Sequence, residues 1–371
     1  MTKTLEIRTL PETNIYTYEA SGAQNLKDVV IHNISIINNY DHPIELQSVK
    51  LESLSGETCV LTKILNSDEL NGIAQYLYGA QQQGVINALD FVFRPDLLLG
   101  SAKTLSNSSK VEPGQALFLP NNPLLIPANC DKIRIRVNAA HDGHPIESQI
   151  MLAVSEYKQK NDYSFPLKGT CYVSSGADFY SEHRWVNLQE FGIDIVRLSG
   201  DGGMYSNAGL RVEDYYGYNS EIMASATGVV LKAVDELPDS VDRLPREGES
   251  NEEYFGRLLA TSSGMLIGDP YRGVGNYVLI KHSGGEFSVY GHLKPGSVCV
   301  NEGDQVEQGA VIGHLGHSGN SPFPHLHFHV SNREDFIYAR SLPVQFSNIS
   351  IHARPSLTGY VHTGDLIKVK E

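Results

Sequence analysis

The stretch Pro324-His325-Leu326-His327-Phe328-His329-Val330 decides how the C-terminal half of this 371-residue chain is read. A strand turns successive side chains to opposite faces, so His325, His327 and His329 share one face and Leu326, Phe328 and Val330 the other. The apolar face asks to be buried, which places the imidazoles along something enclosed. Imidazole is costly to bury without partners and is a common zinc ligand. The run GHLGHSGNSPFP at 313–324 is a glycine, serine and proline loop that delivers this strand sharply.

Working outward, Asn276 to His282 and Tyr290-Gly291-His292-Leu293 read as two strands joined by the turn Ser283-Gly284-Gly285, a hairpin that carries His292 to a strand end. A further strand, Phe191-Gly192-Ile193-Asp194-Ile195-Val196, holds a carboxylate among apolar neighbours. A lone buried aspartate is costly unless it is paired or binds a metal. Histidines and one aspartate together make a donor set suited to Zn²⁺.

These residues carry a family resemblance. GNYVLIKHSGGEFSVYGHL at 275–293 and VNEGDQVEQGAVIGHLGHSGNSPFPHLHFHV at 300–330 resemble the core of the lysostaphin-type zinc metallopeptidases, the β-lytic and glycyl-glycine endopeptidases. Members carry an aspartate in a GxD strand, a histidine in a YxHL hairpin, a glycine-punctuated V-x-x-G segment and a final HLHF strand. All four occur here in order between Phe191 and Val330, and MASATGVVLKAV at 223–234 resembles the strand that follows the aspartate. The resemblance does not reach the first 155 residues.

It implies that Asp194 and His327 ligate one zinc ion with an open water position, and that His292 and His325 act beside the metal as catalytic groups. The family's first ligand lies four residues before the aspartate, where this chain has Glu190. The nearest upstream imidazole is His183, eleven residues before Asp194, and it is the expected first ligand across a bulged loop, with Glu190 the alternative. His329 is expected in a supporting role behind His327, and His282, His314 and His317 at the surface or rim. The implied activity is hydrolysis of peptide bonds, with a peptide or peptidoglycan stem or cross-bridge as substrate. The rival is a catalytically inactive metallopeptidase fold serving as a binding or regulatory module. A biotinyl or lipoyl carrier lacks its modified lysine here, and a phosphohistidine domain has no need of Asp194.

The expected architecture is mainly β with few short helices. Residues 1–157 form a β-sandwich-like accessory domain, 158–167 a linker, and 168–345 an antiparallel half-barrel metallopeptidase domain of the duplicated-hybrid-motif, lysostaphin-like kind. An insert occupies 235–275, and closing strands occupy 346–371. In the first part Ile133-Arg134-Ile135-Arg136-Val137 alternates strictly, and Val29–Ile37, Ile44–Leu51, Ala116–Leu119 and Ile150–Val154 are further strand candidates. Ser67-Asp68-Glu69 opens a helix, and His141 and His144 read as loop histidines. In the insert, Ser250 and Glu253 spell a capping box before Phe255, Leu258 and Leu259, a surface loop or a lid over a cleft.

With 43 acidic against 29 basic residues the net charge of −14 disfavours nucleic acid and anionic lipid as partners. No apolar run is long enough for membrane insertion. The first residues lack a basic stretch and an apolar core of signal type, which reads as cytoplasmic, or as periplasmic or extracellular if a signal was removed or export is non-classical. Cys59, Cys130, Cys171 and Cys299 have no close pairing and read as buried free thiols. The N-terminal domain can serve as a platform for a protein partner.

Overall fold

The alternation at Ile133–Val137 becomes the strand Lys132–His141, in which Ile133, Ile135 and Val137 are fully buried. Arg134 and Arg136 point the other way and both reach Glu52, at 2.6 and 3.4 Å. The computed structural model describes residues 4–19, 25–352 and 359–370, in two units divided between Tyr157 and Lys158.

In the first unit two sheets face each other. One is ordered Leu5–Leu10, Leu26–Asn38, Gln115–Pro127, Thr104–Leu105; the other Asn14–Tyr16, His144–Ser155, Lys132–His141, Ile44–Ser55, Thr58–Asn66. Ile31, Ile34 and Ile36 of the first meet Val49, Leu51, Ile133 and Ile135 of the second in one apolar cluster. This is a β-sandwich, held by the burial of alternate residues from both inner faces. The helix Ser67–Gln82 is capped by Asn66, one residue earlier than the sequence pattern suggests. The Asn66 side chain accepts from the amides of Asp68 and Glu69, and Glu69 reaches back to the Asn66 amide at 2.8 Å. His141 and His144 end and begin the strands on either side of a two-residue turn.

The second unit is a curled half-barrel built on one long antiparallel sheet. Its order is Gln305–Val306, Gly228–Val234, Asn276–Lys281, Phe287–Leu293, Leu326–Ser331, Ile193–Arg197, Thr170–Ser175, Leu366–Val369, Ile349–Ile351. The histidine strand is therefore central, and both of its faces are covered: Leu326, Phe328 and Val330 are buried on one side, His327 and His329 on the other. Phe328 packs edge-on against Tyr290 at 5.2 Å, which ties the apolar side to the neighbouring strand.

Residues 158–167 differ from the expected linker. Tyr163, Phe165 and Leu167 are buried, the Tyr163 hydroxyl donates to Glu286 at 2.9 Å, and Phe165 packs edge-on against Phe346 at 5.1 Å. The polar run 158–162 that precedes these anchors disguises a segment whose second half enters the core. The closing strands are also integral, since Leu366–Val369 pairs with Thr170–Ser175.

The insert carries the helix Asn251–Gly268, with its capping box formed between Ser250 and Glu253. Of the expected apolar stripe only Leu258 is buried; Phe255 and Leu259 are exposed. Instead of floating as a loop, the insert is fastened along residues 319–322. The buried Arg243 donates to the Ser321 carbonyl at 3.1 Å and to Ser262 and Thr261, Tyr254 donates to the Pro322 carbonyl at 2.8 Å, and Ser240 to the Gly319 carbonyl at 2.7 Å. Of the four cysteines, Cys130 and Cys171 are buried, whereas Cys59, on an edge strand, and Cys299 are exposed. No helix among the described residues is long and apolar enough to cross a membrane.

Truncating Phe165 to alanine empties a buried aromatic site and is expected to destabilise the protein by about 3–5 kcal/mol in urea titration. A loss within about 0.5 kcal/mol, as for a solvated linker residue, contradicts the packing described.

Candidate metal centre

Strand register brings the first two groups together. Ile193–Arg197 runs antiparallel to Leu326–Ser331 with Asp194 directly opposite His327. Directly paired residues share a face, and His327 Nδ1 lies 2.9 Å from Asp194 Oδ1. On the other flank Gly291 is paired with His327, and Val274 fills the space a side chain there would take.

The third group arrives from a loop. Between Thr170–Ser175 and Ile193–Arg197 the chain makes two 3-10 turns, Glu182–Trp185 and Asn187–Gln189. Ser181 caps the first, accepting from the His183 amide at 3.1 Å. His183 Nδ1 lies 3.2 Å from the Gly192 carbonyl, which can only accept, so Nδ1 carries the proton and Nε2 faces Asp194 Oδ2 at 3.4 Å. A side chain at Gly192 would crowd the site, because a Cβ would stand 3.2 Å from His327 Cε1 and 3.0 Å from the Gln189 carbonyl oxygen. The donor atoms of His183, Asp194 and His327 all lie within 4.8 Å of one another. Both imidazoles are buried, and 14% of the Asp194 side chain remains accessible.

His292 and His325 stand beside this cluster, their ring centroids 4.7 Å apart. His292 Nδ1 faces the Ser318 carbonyl at 2.8 Å and His325 Nδ1 the Phe323 carbonyl at 2.7 Å, so each ring is protonated at Nδ1 and presents Nε2. His325 Nε2 lies 3.5 Å from Asp194 Oδ1. His292 sits at a bulge where the register with Asn276–Lys281 shifts, and its φ of 61° is a left-handed conformation uncommon for any residue other than glycine. Behind it Gly275, at φ +74°, lets the Ser318 carbonyl approach; a Cβ there would lie 2.5 Å from that oxygen.

His329 lies behind His327, its Nδ1 2.9 Å from His327 Nε2. When His327 donates from Nε2 to His329, its Nδ1 lone pair is left facing the Asp194 carboxylate. Two electron-rich groups side by side in a buried site are stabilised by a cation between them, so this donor set fits a bound metal.

The remaining sequence candidates resolve differently. Glu190 is fully buried and receives a 2.6 Å hydrogen bond from Arg184, so it is engaged away from the cluster. His282 and His317, expected at the surface or rim, are buried. His282 bridges the Thr227 carbonyl and the Ser288 hydroxyl at 3.0 and 2.7 Å, and His317 Nδ1 meets Ser321 Oγ at 2.9 Å. His314 is half-buried in its own strand. Sequence reasoning passed over Ser181, Ser321 and the carbonyls of Gly192, Ser318 and Phe323. Every residue has a carbonyl, so only the chain path could single these out.

Residues 253–338, within the mainly β second unit, match the model of peptidase family M23. No curated protein sequence matches the chain. Among solved structures it is similar to a variant catalytic domain of EnpA, a prophage-encoded M23 protein from Enterococcus faecalis. The identity is 15% over 51% of this chain and 92% of that one, with a TM-score of 0.25. It is also similar to the catalytic domain of the antimicrobial peptidase lysostaphin from Staphylococcus simulans, at 17% over 49% and 88%, TM-score 0.24. A putative glycyl-glycine endopeptidase LytM from Ruminococcus gnavus is 18% identical over 49% and 57%, TM-score 0.28.

Charge in the site follows from burial and neighbours. Burial alone would raise the Asp194 carboxyl, but His183 and His325 outweigh it and hold the group well below the usual carboxylate range. Burial alone would lower His183, but Asp194 lifts it to about 9. Burial, with His325 and His327 adding repulsion, keeps His292 neutral well below its ordinary value; burial and His327 do the same for His329. Burial and His325 push His317 down to about 3.

In chelator-treated protein, His292, His317 and His329 are neutral when folded and chargeable when unfolded. The unfolded chain therefore binds more protons below pH ~6.5, and each such group removes roughly 1.4 kcal/mol of stability per pH unit as pH falls. His183 acts oppositely: its contribution is complete below ~6.5 and is lost as pH rises through about 9. The urea midpoint is expected to drop between about pH 7 and about pH 5, and His317→Gln to flatten that drop. An unchanged or rising midpoint contradicts this assignment.

Proposed function

We propose that the protein is a zinc-dependent metalloendopeptidase that hydrolyses peptide bonds in peptidoglycan stem peptides or cross-bridges. The observation that carries the reading is the grouping of His183, Asp194 and His327 within 4.8 Å, with two more imidazoles presenting Nε2 beside it. In this reading His183 Nε2, an Asp194 oxygen and His327 Nδ1 hold the ion, and Glu190 does not. When bound, Zn²⁺ supplies Lewis acidity, lowering the pKa of a water from ~15.7 towards ~7 and polarising the scissile carbonyl.

The chain's own residues supply the rest. His292 and His325, held by the carbonyls of Ser318 and Phe323, keep Nε2 aimed at the reacting atoms without reorganising during the reaction. Neutral His292 accepts the proton from the attacking water. The His292 imidazolium so formed returns that proton to the leaving amine, which completes the proton transfer, and His325, when it carries a second proton on Nε2, donates a hydrogen bond to the developing oxyanion. His329 fixes the ring of His327, and Asp194 keeps the local charge balanced against the imidazoles. The family match supports a peptidase; the wall substrate is the step taken from the sequence resemblance to the lysostaphin-type endopeptidases. Peptidoglycan lies outside the membrane, so this reading goes with the periplasmic or extracellular alternative.

Purified protein is expected to contain about one zinc per chain and to release muropeptides from peptidoglycan, identified by mass spectrometry. His327→Ala should lose both zinc and cleavage. His292→Ala and His325→Ala should retain zinc while kcat falls by about 10²–10⁴. Zinc retained with no cleavage of any stem or bridge bond would defeat the wall substrate and favour a binding module. A zinc-free protein whose cleavage is indifferent to His327→Ala would defeat the metallopeptidase itself.

A further inference from the structure

We infer that the buried Arg184–Glu190 ion pair is a clasp that places His183 in the metal centre, making both members positioning residues. This rests on the zinc-peptidase reading of the same site. His183 is separated from Asp194 by eleven residues, so strand register cannot place it as it places His327 against Asp194. The path of the loop must do so.

Two contacts close that loop, side by side. His183 Nδ1 donates to the Gly192 carbonyl at 3.2 Å, and the next residue, Arg184, donates from Nη1 to Glu190 Oε1 at 2.6 Å. Both charged side chains have no accessible surface. The guanidinium also lies 4.9 Å from the centroid of the Phe191 ring, whose backbone amide donates to Ser341 Oγ at 3.1 Å. The loop is thus pinned at its far end to the short strand Ser341–Leu342, which pairs with the end of the strand that carries His327, and Arg184 transmits that anchor to the residue beside His183. A charged hydrogen bond of this kind has a fixed direction and length, which an apolar contact lacks. Glu190 stands where the resemblance expects an imidazole ligand, and here the carboxylate instead turns inward to bring in an imidazole from farther along the chain.

The test uses the full chain. Glu190→Gln keeps the shape and removes the charge; Arg184→Met combined with Glu190→Leu replaces the pair by apolar groups and avoids an uncompensated buried charge that could unfold the protein. Binding of Co²⁺ is followed by its visible d–d absorption, with thermal unfolding measured alongside. The expected result is a folded double variant whose Co²⁺ affinity is about 10–100-fold weaker, with a spectrum like that of His183→Ala. In the metal-free protein, the nuclear Overhauser contact between the His183 and His327 rings, whose centroids are 5.0 Å apart, should be lost. A folded double variant with wild-type affinity, spectrum and ring contact overturns the clasp. If wild-type protein binds no metal, the zinc reading fails, and the ring contact still decides the clasp.

Discussion

One carboxylate organises the second unit. Asp194 is set in the middle of a sheet, opposite His327 and within 3.5 Å of His183 and His325. An anion withdrawn from water to that extent is tolerated only when positive or donor groups surround it. His183 needs that anion in turn, because burial otherwise strips its proton. Removing the carboxylate would therefore unbalance the centre of the fold as well as the site.

What the sequence made legible was whatever local periodicity controls. Period-two alternation at Ile133–Val137 and Leu326–Val330 marked strands and faces, and the turn glycines at 284 and 285 marked the hairpin leading to His292. The company of His292, Asp194, His325 and His327 could be read because each sits on or beside a strand, and strand order then brings them together. The bulged route to His183 was suggested by family resemblance alone. Its path depends on Ser181, Gly192 and the Arg184–Glu190 pair, none of which a spacing rule encodes.

The misreadings share a cause. Segment 158–167 is polar in composition, and His282 and His317 lie in turn-rich text, so each looks solvated. Each is buried because its partner comes from far along the chain: Glu286 for Tyr163, Thr227 for His282, the insert for the loop bearing His317. Composition reports local polarity and is silent on long-range pairing. The insert is the largest example, since its ties to residues 319–322 steady the loop whose carbonyls orient His292 and His325.

The left-handed backbone at His292 sets a limit on how this centre can change. That conformation is accepted most readily by glycine and asparagine, yet neither moves a proton as imidazole does. A chain selected only for folding would drift towards those residues, and one selected for chemistry must keep the strained imidazole, at a cost of about 1–3 kcal/mol. In the proposed reaction, thermal robustness and turnover are therefore opposed at this single position.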